Sequence, residues 1–415
     1  MRRGSFTMGM LLAGAVLSQA EVTYRDWDQA PHHYFDRTPS DRFSRLKNAL
    51  ESGEATLDRR SERAFLVSLL RLLEIPESSQ MLVFSTTSLQ LRLISPSNPR
   101  ALYFNEEIYL GYIPGGRIEV VSVDPELGGI FHILDVPRGP EALKVERSTR
   151  CMNCHAGDNT GHVPGLALKS VIPGPAGGSL DSFRREQTGH GIPLADRFGG
   201  WYVTGADTFT NHWGNLIGDL SPGGLIRTPV PPGERFDFSR YLVATSDLLP
   251  QLLHEHQAGF VNRAVEATYR ARTHLYNDQG PDGLTREHRE DLDQQARILT
   301  RYLLFADEVP LPEGGISGDP RFKADFLKTR RAVNGASLKD LDLNTRLLRH
   351  RCSYMVYTDL FTGIHPEIRD RVWAALDKAL DVEHPDPEYA YLPEEEKRTI
   401  REILRGTAET RPPGW

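Results

Sequence analysis

The chain has 415 residues, enough for two domains or one large one. Hydrophobic residues make up 39%, charged residues 25% and aromatic residues 9%, which excludes a wholly disordered chain, a collagen-like repeat and a polytopic membrane protein. With 49 Lys and Arg against 56 Asp and Glu, the net charge is −7, so the chain lacks the basic field on which nucleic-acid binding relies.

The first 20 residues have the pattern of a secretory signal peptide. A basic start at residues 1–3 precedes an apolar run at residues 8–17, and small residues follow at Ser18 and Ala20. The run is shorter than the roughly 20 residues that span a bilayer. A buried N-terminal helix is the alternative. We predict cleavage after Ala20 and a soluble protein, periplasmic or otherwise exported, that keeps no integral membrane segment.

Helical and strand patterns follow each other along the first third of the mature chain. Apolar spacing predicts helices between Asp41 and Glu74, with Ser40 and Ser61 as N-caps. After Pro76 the sequence pattern changes to short β-branched and aromatic runs separated by Pro, Gly and Asn. The predicted strands are Met81–Phe84, Ala101–Phe104, Ile108–Ile113, Ile118–Val123 and Gly129–Val136. Their short connections favour antiparallel pairing.

The rest of the chain divides into an irregular stretch and a helical part. Residues 138–233 lose regular periodicity but contain aromatic residues, which argues against disorder. Helices are predicted near 245–277, 284–306, 321–331, 337–361, 365–380 and 394–405. We therefore predict an α+β fold with a small antiparallel sheet. Its parts are the signal peptide (1–20), an α+β region with an irregular functional segment (21–237) and a mainly helical C-terminal region (238–415).

The irregular stretch contains the run Cys151-Met152-Asn153-Cys154-His155. Two thiols three residues apart can form thioether bonds to the two vinyl groups of a haem, and the next histidine is then the proximal iron ligand. The alternatives are a CxxC redox pair or half a zinc site. The chain has no second cysteine pair for zinc and no βαβ context for a thioredoxin-like pair. We predict one covalent haem c, bound by Cys151, Cys154 and His155.

Two histidines in the same stretch are candidates for the sixth iron ligand. His190 and His212 each lie in a Gly-flanked loop that could present an imidazole to a flat ring. A loop histidine bonded to the backbone is the alternative interpretation of either one.

The other candidate ligands are less favourable. Met152 lies inside the attachment turn, and His162 is close to His155 in the chain. His254 and His256 point apart on a helix and are expected at the surface. Met355 remains as the ligand to consider if both loop histidines fail.

Several motifs resemble a family of exported, mostly uncharacterised mono-haem c-type cytochromes from environmental bacteria such as planctomycetes and their relatives. The similar segments are Ser79–Ser85, Ala101–Asn105, Arg150–His155, Val163–Gly165, Gly199–Gly205, His212–Asn215 and Arg351–Tyr357. The family pattern often has Asp before the first loop histidine and Met after the second, where this chain has Gly189 and Trp213. The resemblance therefore leaves His212 as the transferable candidate, and it implies no established reaction.

These features favour a one-electron carrier that exchanges electrons with redox partner proteins rather than a catalyst. The alternatives are a haem enzyme or gas- or peroxide-reactive protein with an open sixth iron position, and a haem-bearing subunit of a larger complex. The unpaired Cys352 lies in apolar surroundings and is expected to be buried, with a structural role.

Overall fold

The computed structural model describes residues 22–137, 139, 143–182, 189–206, 209–279 and 283–415. The predicted signal peptide, residues 1–20, lies outside the described residues. The helices are α1 (Arg42–Ser52), α2 (Glu62–Leu72), α3 (Met152–His155), α4 (Leu248–Asn277), α5 (Arg286–Leu303), α6 (Pro320–Leu327), α7 (Asp359–Gly363), α8 (Pro366–Ala379) and α9 (Glu394–Thr407). The strands are β1 (Met81–Val83), β2 (Arg100–Phe104), β3 (Ile108–Tyr112), β4 (Ile118–Asp124), β5 (Gly128–Leu134), β6 (Val145–Arg147), β7 (Val171–Pro173), β8 (Ser179–Ser182), β9 (Trp201–Tyr202), β10 (Leu216–Ser221) and β11 (Gly224–Pro229).

The N-terminal half is built on a seven-stranded antiparallel sheet in the order β6-β5-β4-β3-β2-β1-β9. Two separate hairpins, β7-β8 and β10-β11, lie outside it. The C-terminal part is mainly helical. The predicted α+β fold is therefore confirmed.

Alternate residues of the strands face two different cores, because successive side chains of a strand point to opposite faces. On one face, Tyr103 and Leu110 pack with Phe65 of α2. On the other, Phe104 and Tyr109 pack with Leu253 of α4. We call this second surface the α4 face; it is defined by Phe104, Tyr109, Val121 and Phe131, which are successive register partners across β2 to β5.

A buried glutamine joins the sheet to the segment that leads into α4. The Gln80 amide donates to the carbonyl oxygens of Val243 and Thr245, at 2.7 and 2.9 Å. Its oxygen accepts from the Tyr103 hydroxyl and from the backbone N–H of Leu242. Both of its polar groups are paired, so the contact stabilises the junction without leaving a buried group unsatisfied.

Two local predictions are wrong. Asp41, not Ser40, caps α1, since the Asp41 carboxylate accepts from the backbone N–H of Ser44, whereas Ser61 caps α2 as predicted. The expected helix over 337–361 is not continuous: turns precede a 3₁₀ segment, Tyr354–Tyr357, and α7. Within those turns the Asp342 carboxylate accepts from the N–H groups of the following residues. Such local bonds compete with the helix.

The hairpins β7-β8 and β10-β11 also give regular structure to a stretch predicted to be irregular. Within the part of the chain that the structure describes, no helix combines the length and apolar character that crossing a bilayer requires.

Candidate functional site

The cysteine pair lies on a single short helical turn. The backbone N–H groups of Cys154 and His155 both donate to the carbonyl oxygen of Cys151, at 3.1 and 3.0 Å. Neither cysteine is in a disulfide; the Cys154 side chain is exposed and Cys151 is half-buried. Burial raises the pKa of the Cys151 thiol. Both cysteines are therefore free and lie on one short turn.

Met152 fixes this turn to the protein. Its side chain is 5% exposed and packs with Tyr34, Leu127, Ile130 and Phe131. Because Met152 is committed to this cluster, it anchors the two flanking cysteines, in agreement with its exclusion as an iron ligand.

His155 is held in one orientation by Gly165. The Nδ1 atom of His155 lies 2.9 Å from the carbonyl oxygen of Gly165, and the Gly165 N–H donates to the His155 carbonyl at 2.8 Å. A carbonyl oxygen only accepts, so the ring proton is on Nδ1 and the lone pair is on Nε2. This is the tautomer of a metal-ligating histidine, whose second nitrogen donates to an outer partner. The ring also packs 4.6 Å from that of Phe131, on the α4 face.

A side chain of α4 holds the loop that supplies this carbonyl. Asn262 accepts from the backbone N–H of Leu166 at 2.7 Å, and its amide donates to the Leu166 carbonyl at 2.9 Å. The Thr160 hydroxyl donates to the His155 carbonyl at 3.2 Å. The orientation of His155 is therefore coupled to the longest helix of the described chain.

His190 lies in an aromatic stack on the side of α4 that faces away from the sheet. Its side chain is 3% exposed, and its Nδ1 is 2.8 Å from Nδ1 of His256. Its ring stacks on those of Tyr302 and Phe305 at 4.2 and 4.6 Å. Burial and the neighbouring His256 lower the pKa of His190, so the ring is neutral.

His212 is half-buried between Phe198 and Phe209. The backbone N–H of Gly214 donates to its Nδ1 at 2.9 Å. Burial lowers the pKa of His212, and the neutral ring then carries its proton on Nε2. This is the opposite tautomer to that of His155, and Nε2 in this form has no lone pair for a metal.

The prediction that His254 and His256 lie at the surface is wrong, since both are buried, at 5% and 0% exposure. They do point apart, but α4 is buried on nearly all sides along this stretch. His256 donates to or accepts from Ser353 through Nε2 at 2.7 Å. His254 faces the sheet, against the rings of Phe104 and Tyr109. The signal that could have placed them is the weak segregation of polar and apolar residues around α4, which is typical of a helix buried on several sides.

The other singled-out residues lie in the core. Cys352 is fully buried, as predicted. The Trp201 indole N–H donates to the Lys169 carbonyl at 3.0 Å, and the Tyr202 hydroxyl donates to the Pro96 carbonyl at 2.7 Å. Met355 is buried beside Ser353, whose hydroxyl accepts from its backbone N–H.

Comparison with family models, with curated proteins and with solved structures gives no match. The site is therefore judged on its own chemistry. A pair of reduced thiols on one turn and an adjacent imidazole with its lone pair on Nε2 fit a covalently attached haem. Cys151, Cys154 and His155 share one short turn, whereas His190 and His212 lie in separate aromatic settings.

Proposed function

We propose that this protein is an exported c-type cytochrome that carries one covalently bound haem and transfers single electrons between redox partners. Cys151 and Cys154 would form the thioether bonds, and His155 would be the proximal iron ligand. The bound haem supplies a metal that changes oxidation state by one electron.

The observation that carries the proposal is the hydrogen bond from His155 Nδ1 to the Gly165 carbonyl. Iron-binding histidines need this outer partner, because it fixes the tautomer and raises the basicity of the ligating nitrogen. A CxxC redox pair would need no such arrangement at the following residue. The bond therefore favours haem attachment over a dithiol function.

The surroundings of the attachment turn favour electron exchange through its exposed edge. Cys154 is exposed while Met152 is buried, so one side of the turn reaches solvent and the other is fixed to the core. A redox partner could approach this side without a conformational change. Export is supported by the pattern of residues 1–20, which lie outside the described part of the chain.

The test is to express the full chain in a bacterial host that matures c-type cytochromes, and to purify it from the periplasm. We expect a c-type optical spectrum, a reversible one-electron titration and a ferrous form that does not bind CO rapidly. Rapid CO binding by the native ferrous protein would instead favour the gas- or peroxide-reactive alternative. A protein without covalent haem would contradict the proposal.

A further inference from the structure

One largely buried histidine on α4, His254, lies among aromatic rings. His254 is 5% exposed, yet neither ring nitrogen makes a hydrogen bond to any residue that the structure describes. A neutral imidazole has one donor and one acceptor, and neither ring nitrogen of His254 is among the fully enclosed unpaired atoms of the described residues, so both remain accessible to an incoming group. Two neighbours on the same helix are paired: Gln257 with the hydroxyls of Tyr109 and Tyr354, and His256 through both ring nitrogens.

The surroundings of His254 are aromatic. The rings of Phe104 and Tyr109 each lie 5.2 Å away in edge-on contact, and the Trp201 ring lies at 6.5 Å. These rings hold the imidazole in place and do not compete with a metal for its lone pair.

His155 and His254 lie over the same face of the sheet. Phe131 pairs with Val121 on the next strand, and Val121 pairs with Tyr109 on the strand after it. His155 packs on the first residue of this row and His254 on the last. Two strand steps separate those residues by roughly 10 Å.

The sheet surface beside these histidines is incompletely covered. Leu102 on β2 and Val121 on β4 belong to inner strands and point to the α4 face, but both are only partly buried. Nearby, Arg100 pairs with Glu119 at 2.8 Å through Nη1, while its buried Nε has no partner among the described residues. Apolar surface beside a guanidinium that keeps one unpaired N–H suits a flat apolar ring that carries carboxylates.

The two loop histidines lack these properties. His190 pairs with His256, which is about 200° around α4 from His254 and so on the side away from the sheet. His212 accepts a hydrogen bond at Nδ1 and carries its proton on Nε2.

The geometry points to His254 as the second residue of this chain that would hold the haem iron, together with His155. This inference rests on the proposed function, because it presupposes a haem attached at Cys151 and Cys154. It assigns the α4 face between β2 and β5 as the haem-binding surface.

The test uses the haem-loaded full chain and single variants of each histidine. We expect the wild-type ferric protein to be low-spin, and His254→Ala to lose the low-spin optical and electron paramagnetic resonance signals and gain high-spin ones. His212→Ala and His190→Ala are the matched controls and should retain the low-spin spectrum. His254→Met supplies a sulfur ligand of similar length, so it should remain low-spin with a raised reduction potential.

The outcomes separate the inference from the proposed function. Wild-type protein without covalent haem would contradict the function itself. Covalent haem with a high-spin wild-type spectrum, or a low-spin spectrum retained in His254→Ala, would overturn the ligand assignment alone, as would loss of the low-spin form in His212→Ala or His190→Ala. If His254→Ala does not fold, a His254→Met protein with an unshifted potential would overturn it.

Discussion

The Nδ1 atom of His155 lies 2.9 Å from the carbonyl oxygen of Gly165, ten residues further along the chain. This bond orients the imidazole beside the two cysteines and depends on a loop that Asn262 of α4 holds in place. A change in the loop should therefore alter the properties of the iron without removing any of its ligands.

Gly165→Ala tests this coupling. An added Cβ would collide with Asn262 Oδ1 and lie 3.0 Å from Thr160 Cβ, so the loop must shift. We expect a loss of about 1–3 kcal/mol in the free energy of unfolding and a displaced reduction potential in the loaded protein. Chemical denaturation and a redox titration measure the two effects.

Gly157→Ala is the control, because the nearest atom to its added Cβ is the Asn153 carbonyl oxygen at 3.9 Å and its φ is −115°. It should leave the reduction potential unchanged. Equal shifts of the potential in the two variants would contradict the coupling through Gly165.

The three thiols should react in order of exposure when the haem-free, reduced protein is treated with an alkylating reagent. Cys154 is exposed, Cys151 is half-buried and Cys352 is fully buried. Burial also raises the pKa of the Cys352 thiol, which lowers its thiolate fraction. We expect Cys154 to be labelled first and Cys352 only on unfolding, as followed by peptide mapping.

In haem-loaded protein, Cys352→Ala should keep both thioether bonds, whereas Cys154→Ala should keep only the one to Cys151. Labelling of Cys352 at the rate of Cys154 in the folded protein would be incompatible with the buried position of that residue.

A buried ion pair next to the loop of His190 should be important for stability. Arg197 Nη1 lies 3.2 Å from Glu255 Oε2, and the two side chains are 3% and 11% exposed. Removal of one partner leaves the other charge buried, so Glu255→Ala should lower the free energy of unfolding by about 3–5 kcal/mol. Denaturant titration at neutral pH measures this loss.

An exposed pair of the same types provides the comparison. Arg286 and Glu290 are 88% and 63% exposed and one helical turn apart, so Glu290→Ala should change stability by at most about 0.5 kcal/mol. If the two variants were equally stable, the Arg197–Glu255 pair would have no structural importance.

Glu308 predicts a specific dependence of stability on pH. Burial raises the pKa of its carboxyl to about 7, while the carboxyl of an unfolded chain titrates near 4.5. Between these values the folded state binds more protons than the unfolded state, so its stability falls as the pH rises from 4.5 to 7. The slope is at most about 1.4 kcal/mol per pH unit.

Glu308→Gln keeps the oxygen that accepts from the Leu347 N–H at 3.0 Å but removes the titration. The free energy of unfolding of the variant minus that of the wild type should be larger at pH 8 than at pH 5. Denaturant titrations of both proteins at the two pH values measure this difference. A difference between the two proteins that does not vary with pH would rule out titration of Glu308 in this range.

The sequence predicts the regular elements well where their periodicity is strong. The five strands between Met81 and Val136 and the helix near 245–277 are found close to the predicted bounds. The region 337–361 is different, because its apolar spacing suggests a helix while Asp342 and neighbouring polar groups satisfy the backbone locally. The hydrophobic pattern alone does not distinguish a continuous helix from turns that polar side chains such as Asp342 stabilise.

In the candidate site, too, local sequence predicts some residues and tertiary packing decides the others. The local motif predicts Cys151, Cys154 and His155 because their chemistry depends on adjacent positions. His254 is nearly one hundred residues away, and only the packing of α4 against the sheet brings it over β3, one strand from Val121 and two from Phe131. The sequence does not single out His254 as a candidate ligand, because side chains at i and i+2 on a helix, such as His254 and His256, do not face each other.

The most direct test is the intact mass of the protein from a host that matures c-type cytochromes, followed by peptide mapping. The account predicts a mass equal to the processed polypeptide plus one haem, carried by the peptide that contains Cys151 and Cys154. A folded periplasmic protein whose mass is that of the polypeptide alone would contradict it.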